Sequence, residues 1–315
     1  MEKLGIIGCG TMGHSIALSA AWAGMPVSVH GLNDTEIQRA EEGLIDKLRL
    51  LMQYGVIKET AISEILNRIR FTRSIDEIAA ASSFIIETIP ENMALKKELF
   101  AYLDNRCSRE TILATNTSGL SPTEMAAATA FPHRVVVTHF WNPAHLIPLV
   151  EVVRGEKTGD QTVERAFGLL RSMSKKPIEV KKEAPGFVGN RLQFALLREA
   201  QYILEQGIAS KEDIDAAVTY GIGRRLPVTG PLVSADMGGL DVFAAIADYL
   251  FSDLSNAVAA SSGLKQLVAA QKYGAKSGEG YYEWPPSFYE ERHRAREAAL
   301  IGFLKQDQSA NNAAE

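Results

Sequence analysis

The chain has 315 residues, 46% hydrophobic and 23% charged, with a formal net charge of −5. That is the composition of one large or two ordinary globular domains, without the basic excess that a nucleic-acid or anionic-membrane partner would call for. No stretch is long and apolar enough to span a bilayer. Cys9 and Cys107, its only cysteines, form no CxxC pair, which argues against a disulfide framework or a zinc site. A reducing cytoplasm is expected. The first strand begins almost at Met1, so no targeting segment is expected before it.

In chain order, KLGIIG (3–8) reads as a short apolar strand ending in glycine, followed by a small-residue helix, HSIALSAAWAG (14–24). VSVH (27–30) is a second strand, and residues 34–70 read as a helical pair. FIIET (84–88), ILAT (112–115), RVVVTHF (134–140) and LVEVV (149–153) are further strands. Apolar runs without clean alternation fit parallel strands covered on both faces. Alternation of strands and helices predicts an α/β, Rossmann-type doubly wound sheet over 1–184. Beyond Pro185 the spacing is helical: 187–207, 210–221, 241–254, 261–274 and a charged helical tail. An all-α C-terminal domain is expected over 185–315.

GCGTMG (8–13) matches GxGxxG between a strand and a helix, the context that gives this pattern its meaning. Gly8 permits the tight turn, Gly10 lets backbone approach a pyrophosphate, and Gly13 lets helix and strand pack closely. Thr11 and Met12 open the helix whose N–H groups would face the phosphates. The expected acidic residue at the end of the second strand is absent. VSVHGLND places Gly31 there, leaving Asn33 or Asp34 to reach the ribose. The nearest arginine, Arg39, lies a helical turn or two away, so NAD is expected over NADP.

TNTSG (115–119) follows the strand ILAT, and ligands in such sheets bind beyond the carboxyl ends of the strands. Asn116, Ser118 and His139 therefore belong at the cofactor crevice. Glu151, alone among Leu149, Val150, Val152 and Val153, needs a partner if buried. An imidazole can take and return a hydroxyl proton near neutral pH, and a carboxylate on its other nitrogen would fix the tautomer. His139 is the candidate base and Glu151 its partner. Ser118 and Asn190 are candidates to hydrogen-bond the substrate oxygen. Taken one at a time, a strand-end histidine, a turn serine and a helix-capping asparagine are ordinary structural features. Their joint occurrence beside a dinucleotide loop favours chemistry.

At GCGTMG, ETIPENMALKKELF, TNTSGLS, HFWNPAHLIPLVEVV and APGFVGNRL, the chain resembles the 3-hydroxyacyl-CoA dehydrogenase family almost from end to end. The resemblance implies an enzyme with NAD as cofactor and a helical dimerisation domain. It implies His139 as base with Glu151, and Ser118 and Asn190 at the substrate oxygen. It also implies Glu91, Lys96, Asn116 and Asn142 near the nicotinamide and its ribose. The expected substrate is a small hydroxyacyl molecule, as in fatty acid metabolism. Two stretches depart from the pattern. Where family members carry a lysine-rich stretch for the CoA arm, IDKLRLLMQYGVIKE offers only Lys47, Arg49 and Lys58. GIGRRLPVTGP (221–231) is longer than the family's usual turn and resembles the lambda-crystallin and L-gulonate 3-dehydrogenase branch. There Arg225, with Arg224 beside it, would bind a free carboxylate, the plainer alternative being two surface charges. A non-catalytic, crystallin-like NAD-binding protein and an NADPH reductase are the rival readings.

Overall fold

The computed structural model describes residues 2–312. Among these, eight strands form one sheet: β1 (Leu4–Ile7), β2 (Val27–His30), β3 (Ile69–Thr72), β4 (Phe84–Glu87), β5 (Ile112–Thr115), β6 (Val135–Phe140), β7 (Leu149–Val153) and β8 (Lys176–Val180). Their order is β3-β2-β1-β4-β5-β6-β7-β8. β1, β4, β5 and β6 are buried at every residue, which is why they read as unbroken apolar runs. Side chains alternate between the two faces. Ile6 and Ile86 join the core on one side, with Ala17 and Val136. Ile7 and Ile85 join the other, with Phe100 and Leu113.

Seven α-helices lie between the strands: α1 (Thr11–Trp22), α2 (Asp34–Gln53), α3 (Glu59–Asn67), α4 (Ile75–Ala81), α5 (Met93–Asp104), α6 (Pro122–Ala126) and α7 (Asp160–Ser172). Two strands that the sequence reading missed, β3 and β8, are the sheet's edges. Half-exposed, they carry polar residues (IRFT and KPIEV), so they lack the apolar signature of the centre. The sheet is parallel at every pairing except β6–β7. The short segment between those two strands cannot carry a crossover, so the chain returns antiparallel.

The chain divides into two compact units. One holds the residues up to Val188 together with those from Arg294 onward, and the other is Gly189–His293. The span 185–315 drawn from the sequence is thus not one unit: its last helical turns group with the sheet. The second unit contains α8 (Gly189–Glu205), α9 (Lys211–Ala217), α10 (Gly223–Arg225), α11 (Pro231–Gly238), α12 (Leu240–Leu250), α13 (Ser262–Ala269) and the start of α14 (Pro286–Asn312). α11 and α12 bury none of their residues, and Leu232, Met237, Leu240, Tyr249 and Phe251 are exposed. The later part of α14 is different. Ile301 is buried with Leu51 and Leu146, and Leu300 and Leu304 pack there beside Leu50, Val56 and Ile57.

Candidate active site

The glycine loop has the shape a dinucleotide needs. Gly8 adopts φ +102°, closed to most side chains. A Cβ on Gly13 would fall 1.9 Å from the Gly8 carbonyl oxygen, whereas one on Gly10 would meet nothing within 4 Å. The space before Gly10 is therefore open to a pyrophosphate, and α1 starts there without an acidic residue in its first turn. A crevice of about 730 Å³ runs past Gly8, Gly10, Thr11, His14 and His30. Met12 turns the other way and packs on the core.

At the ribose end, a Cβ on Gly31 would sit 2.5 Å from Ile37 Cγ1 and 3.0 Å from Cys9 Sγ. An aspartate there would have to push the Ile37 side chain aside. Asn33 caps α2, its Oδ1 accepting the Glu36 N–H at 2.9 Å, and Asp34 is exposed and faces Arg73 at 3.4 Å. Glu36 and Arg39 line the crevice, and Glu36 Oε2 accepts the Leu32 N–H at 3.2 Å.

Beyond β4 and β5 the polar groups interlock. Buried Lys96 donates to buried Glu87 at 2.6 Å and lies 3.5 Å from Glu91. Glu87 also accepts from Thr115 Oγ1 at 2.7 Å and from the Ile89 N–H at 2.6 Å. Burial raises the Glu87 pKa, offset in part by Lys96 and these hydrogen bonds. Glu91 accepts from Thr117 Oγ1 and from the exposed Ser118 N–H. Asn116 Oδ1 accepts the Phe140 N–H at 2.8 Å, tying the β5 end to β6. Asn142 is exposed in the turn after β6. Glu87 was missed from sequence.

The antiparallel pairing sets His139 directly opposite Glu151. His139 Nδ1 lies 2.8 Å from Glu151 Oε2, with side-chain exposures of 7% and 0%. Trp141 Nε1 donates to the same oxygen at 3.2 Å, and the Val188 N–H donates to Oε1 at 2.9 Å. The turn feeding Val188 runs through two left-handed residues, Gly186 and Phe187 (φ +74° and +50°). Phe187 is buried edge-on to the His139 ring, centroids 5.7 Å apart. A non-glycine residue in this region is strained, and here the strain delivers both a ring and an N–H to the pair. A carboxylate on Nδ1 selects the tautomer whose Nε2 carries a lone pair.

Of the remaining candidates, Lys47 is engaged inside the protein. Its Nζ lies 2.8 Å from His14 Nε2 and donates to the Gly43 carbonyl at 3.3 Å. His14 Nδ1 is 3.2 Å from the Cys9 carbonyl, so the ring bridges α2 to the glycine loop. Arg49 is 3.8 Å from Asp46, and Lys58 is exposed. Asn190 is the second residue of α8. Arg225 is exposed at the end of α10, and the Arg224 guanidinium stands 5.5 Å from the Tyr220 ring centre.

Comparison with known proteins extends this picture. Residues 3–184 match the family model "3-hydroxyacyl-CoA dehydrogenase, NAD binding domain", and 186–284 match "3-hydroxyacyl-CoA dehydrogenase, C-terminal domain". A 5-formyl-3-hydroxy-2-methylpyridine 4-carboxylate 5-dehydrogenase from Mesorhizobium japonicum is 37% identical over 286 residues, 91% of this chain and 92% of that protein. A probable 3-hydroxybutyryl-CoA dehydrogenase from Bacillus subtilis is 36% identical over 285 residues, 90% of this chain and 98% of that one. The crystal structure of a dehydrogenase for the same pyridine carboxylic acid, described as an NAD⁺-dependent dismutase, superposes with a TM-score of 0.90 at 35% identity, covering 97% of this chain and 98% of that one.

Proposed function

The chain belongs to the 3-hydroxyacyl-CoA dehydrogenase family and is an NAD-dependent oxidoreductase; from this we propose that it interconverts a 3-hydroxy and a 3-oxo group, with His139 as the proton-transfer residue. The observation that carries the reading is the buried His139–Glu151 pair. Bound NAD supplies the acceptor or donor of hydride. Glu151 holds the Nδ1 proton and favours the imidazolium that forms when Nε2 takes the hydroxyl proton. Trp141 and the Val188 N–H keep Glu151 in place. In the return direction Nε2 gives the proton back to the oxyanion. Ser118 and Asn190 are assigned to the substrate oxygen, and Glu91, Lys96, Asn116 and Asn142 to the nicotinamide end, on the family pattern. The intact pair weighs against a non-catalytic role.

Two substrate readings stand on different supports. The acyl-CoA thioester rests on the family itself and on relatives such as the Bacillus protein. The free carboxylate rests on local structure and on the Mesorhizobium protein, named for a pyridine carboxylate. The stretch that would meet a CoA arm has its first cation turned onto His14. Leu50, Leu51, Val56 and Ile57 of that stretch lie under Leu300, Ile301 and Leu304 of α14, a helix beyond the part matched by the family model. We therefore favour a small free hydroxy acid. The test is turnover with NAD of 3-hydroxybutyryl-CoA, free 3-hydroxy acids and formyl- or hydroxymethyl-pyridine carboxylates. Free acids are expected to give the higher kcat/KM, and preference for the thioester would overturn this choice.

The exposed apolar residues of α11 and α12 support pairing of the helical unit with a second copy of the chain, checked by sedimentation velocity. The two unpaired cysteines suit a reducing compartment such as the cytoplasm.

A further inference from the structure

We propose that Glu36 takes the place of the missing strand-end acid, accepts the adenosine ribose hydroxyls and sets the preference for NAD over NADP. The inference rests on dinucleotide binding and is independent of the substrate choice. Position 31, where a ribose-binding acid would stand, is a glycine against which the Ile37 and Cys9 side chains pack, 2.5 and 3.0 Å from where a Cβ would lie. Asn33 spends its oxygen on capping α2 and Asp34 faces Arg73. Glu36 is the acidic residue that lines the crevice from this end, half-buried and beside Cys9 and His30, which line it too. Its charge reaches both: after burial, it is the next contribution raising the Cys9 thiol pKa, and it opposes the fall that burial causes at His30.

The Leu32 N–H fixes Glu36 Oε2 from the loop side. A carboxylate has about four acceptor sites, so one such bond leaves capacity for a diol. A 2′-phosphate in the same place would meet a like charge in a half-buried setting, which costs affinity. Arg39, three residues on along α2 and lining the same crevice, is the cation that would receive that phosphate once the carboxylate is gone.

Glu36→Gln removes the charge while leaving an oxygen for the Leu32 N–H, so the loop is retained. The experiment is titration calorimetry of wild type and Glu36→Gln with NADH, NADPH, ADP-ribose and 2′-phospho-ADP-ribose. ADP-ribose and its 2′-phosphate lack nicotinamide and report the adenosine end alone. The variant should bind NADH and ADP-ribose on the order of tenfold more weakly, the range for a hydrogen bond to a charged group. It should bind the 2′-phosphorylated forms more tightly, and adding Arg39→Ala should abolish that gain. Asp34→Asn should change neither. Equal weakening for both ligand classes, or an unchanged ratio, would reduce Glu36 to a loop tie and overturn the proposal. Wild type binding neither NADH nor NADPH would overturn the cofactor reading together with it.

Discussion

Glu151 stands across the β6–β7 ladder from His139, with its Oε2 2.8 Å from the ring's Nδ1 and none of its side chain exposed. The geometry assigns Glu151 to positioning, and Glu151→Gln tests it. The amide keeps the shape but can donate to Nδ1, which would move the ring proton to Nε2 and remove the base. We expect kcat to fall by about 10²–10⁴-fold, the scale of a wrong tautomer in a triad, with NADH affinity unchanged. A variant with a wild-type kcat, or one that loses kcat and NADH affinity together, would leave Glu151 with a packing role only.

Glu87 predicts a loss of stability. Its partner Lys96 has 1% side-chain exposure, so Glu87→Gln strips the buried ammonium of its close counter-charge and leaves it with the more distant, half-exposed Glu91 at 3.5 Å. Removing one member of a buried pair costs about 3–5 kcal/mol. Urea unfolding should show an unfolding free energy lower by that amount, and Glu87→Gln/Lys96→Met should recover part of it. A single variant within about 1 kcal/mol of wild type, ordinary for a surface change, would contradict the account.

His145 predicts an acid-sensitive term in stability. Its ring is buried, neither nitrogen has a hydrogen-bond partner among the described residues, and its pKa is lowered from 6.5 to about 3, first by burial and then by the charges of Lys47, Lys175 and His14. The folded chain resists a proton that the unfolded chain accepts. The stability tied to this group is therefore fully present above pH 6.5 and is lost as pH falls toward 3. At about 1.4 kcal/mol per unit, the window is worth several kcal/mol. His145→Gln should remove that dependence, so the gap between wild-type and variant unfolding free energies should move in the variant's favour between pH 7 and 4. Parallel curves would show that the ring is protonated in the folded chain.

The centre of the sheet was legible because four buried strands leave apolar runs. Its edges were not, because IRFT and KPIEV mix polar and apolar residues as half-covered strands do. Glu151 was found as a lone carboxylate in an apolar strand. Glu87, in FIIE, offers the same signal and could have been found by the same rule. The pattern Asn33-x-x-Glu36 is a helix-start signature, readable in the sequence, and it explains why Asn33 is a cap. Lys47 could not have been placed, because its partner His14 is on another helix and the cover from α14 comes from residues about 250 positions away, beyond any local pattern. The antiparallel return of β7 was also hidden, yet it is what sets His139 and Glu151 opposite each other.

The central claim is that His139 moves the proton. The most direct measurement is kcat of His139→Gln with the substrate found in the turnover screen, alongside NADH affinity by fluorescence titration. The account predicts kcat lower by about 10²–10⁴-fold, the usual share of a general base, with NADH affinity unchanged. A variant that turns over within a few-fold of wild type would contradict it.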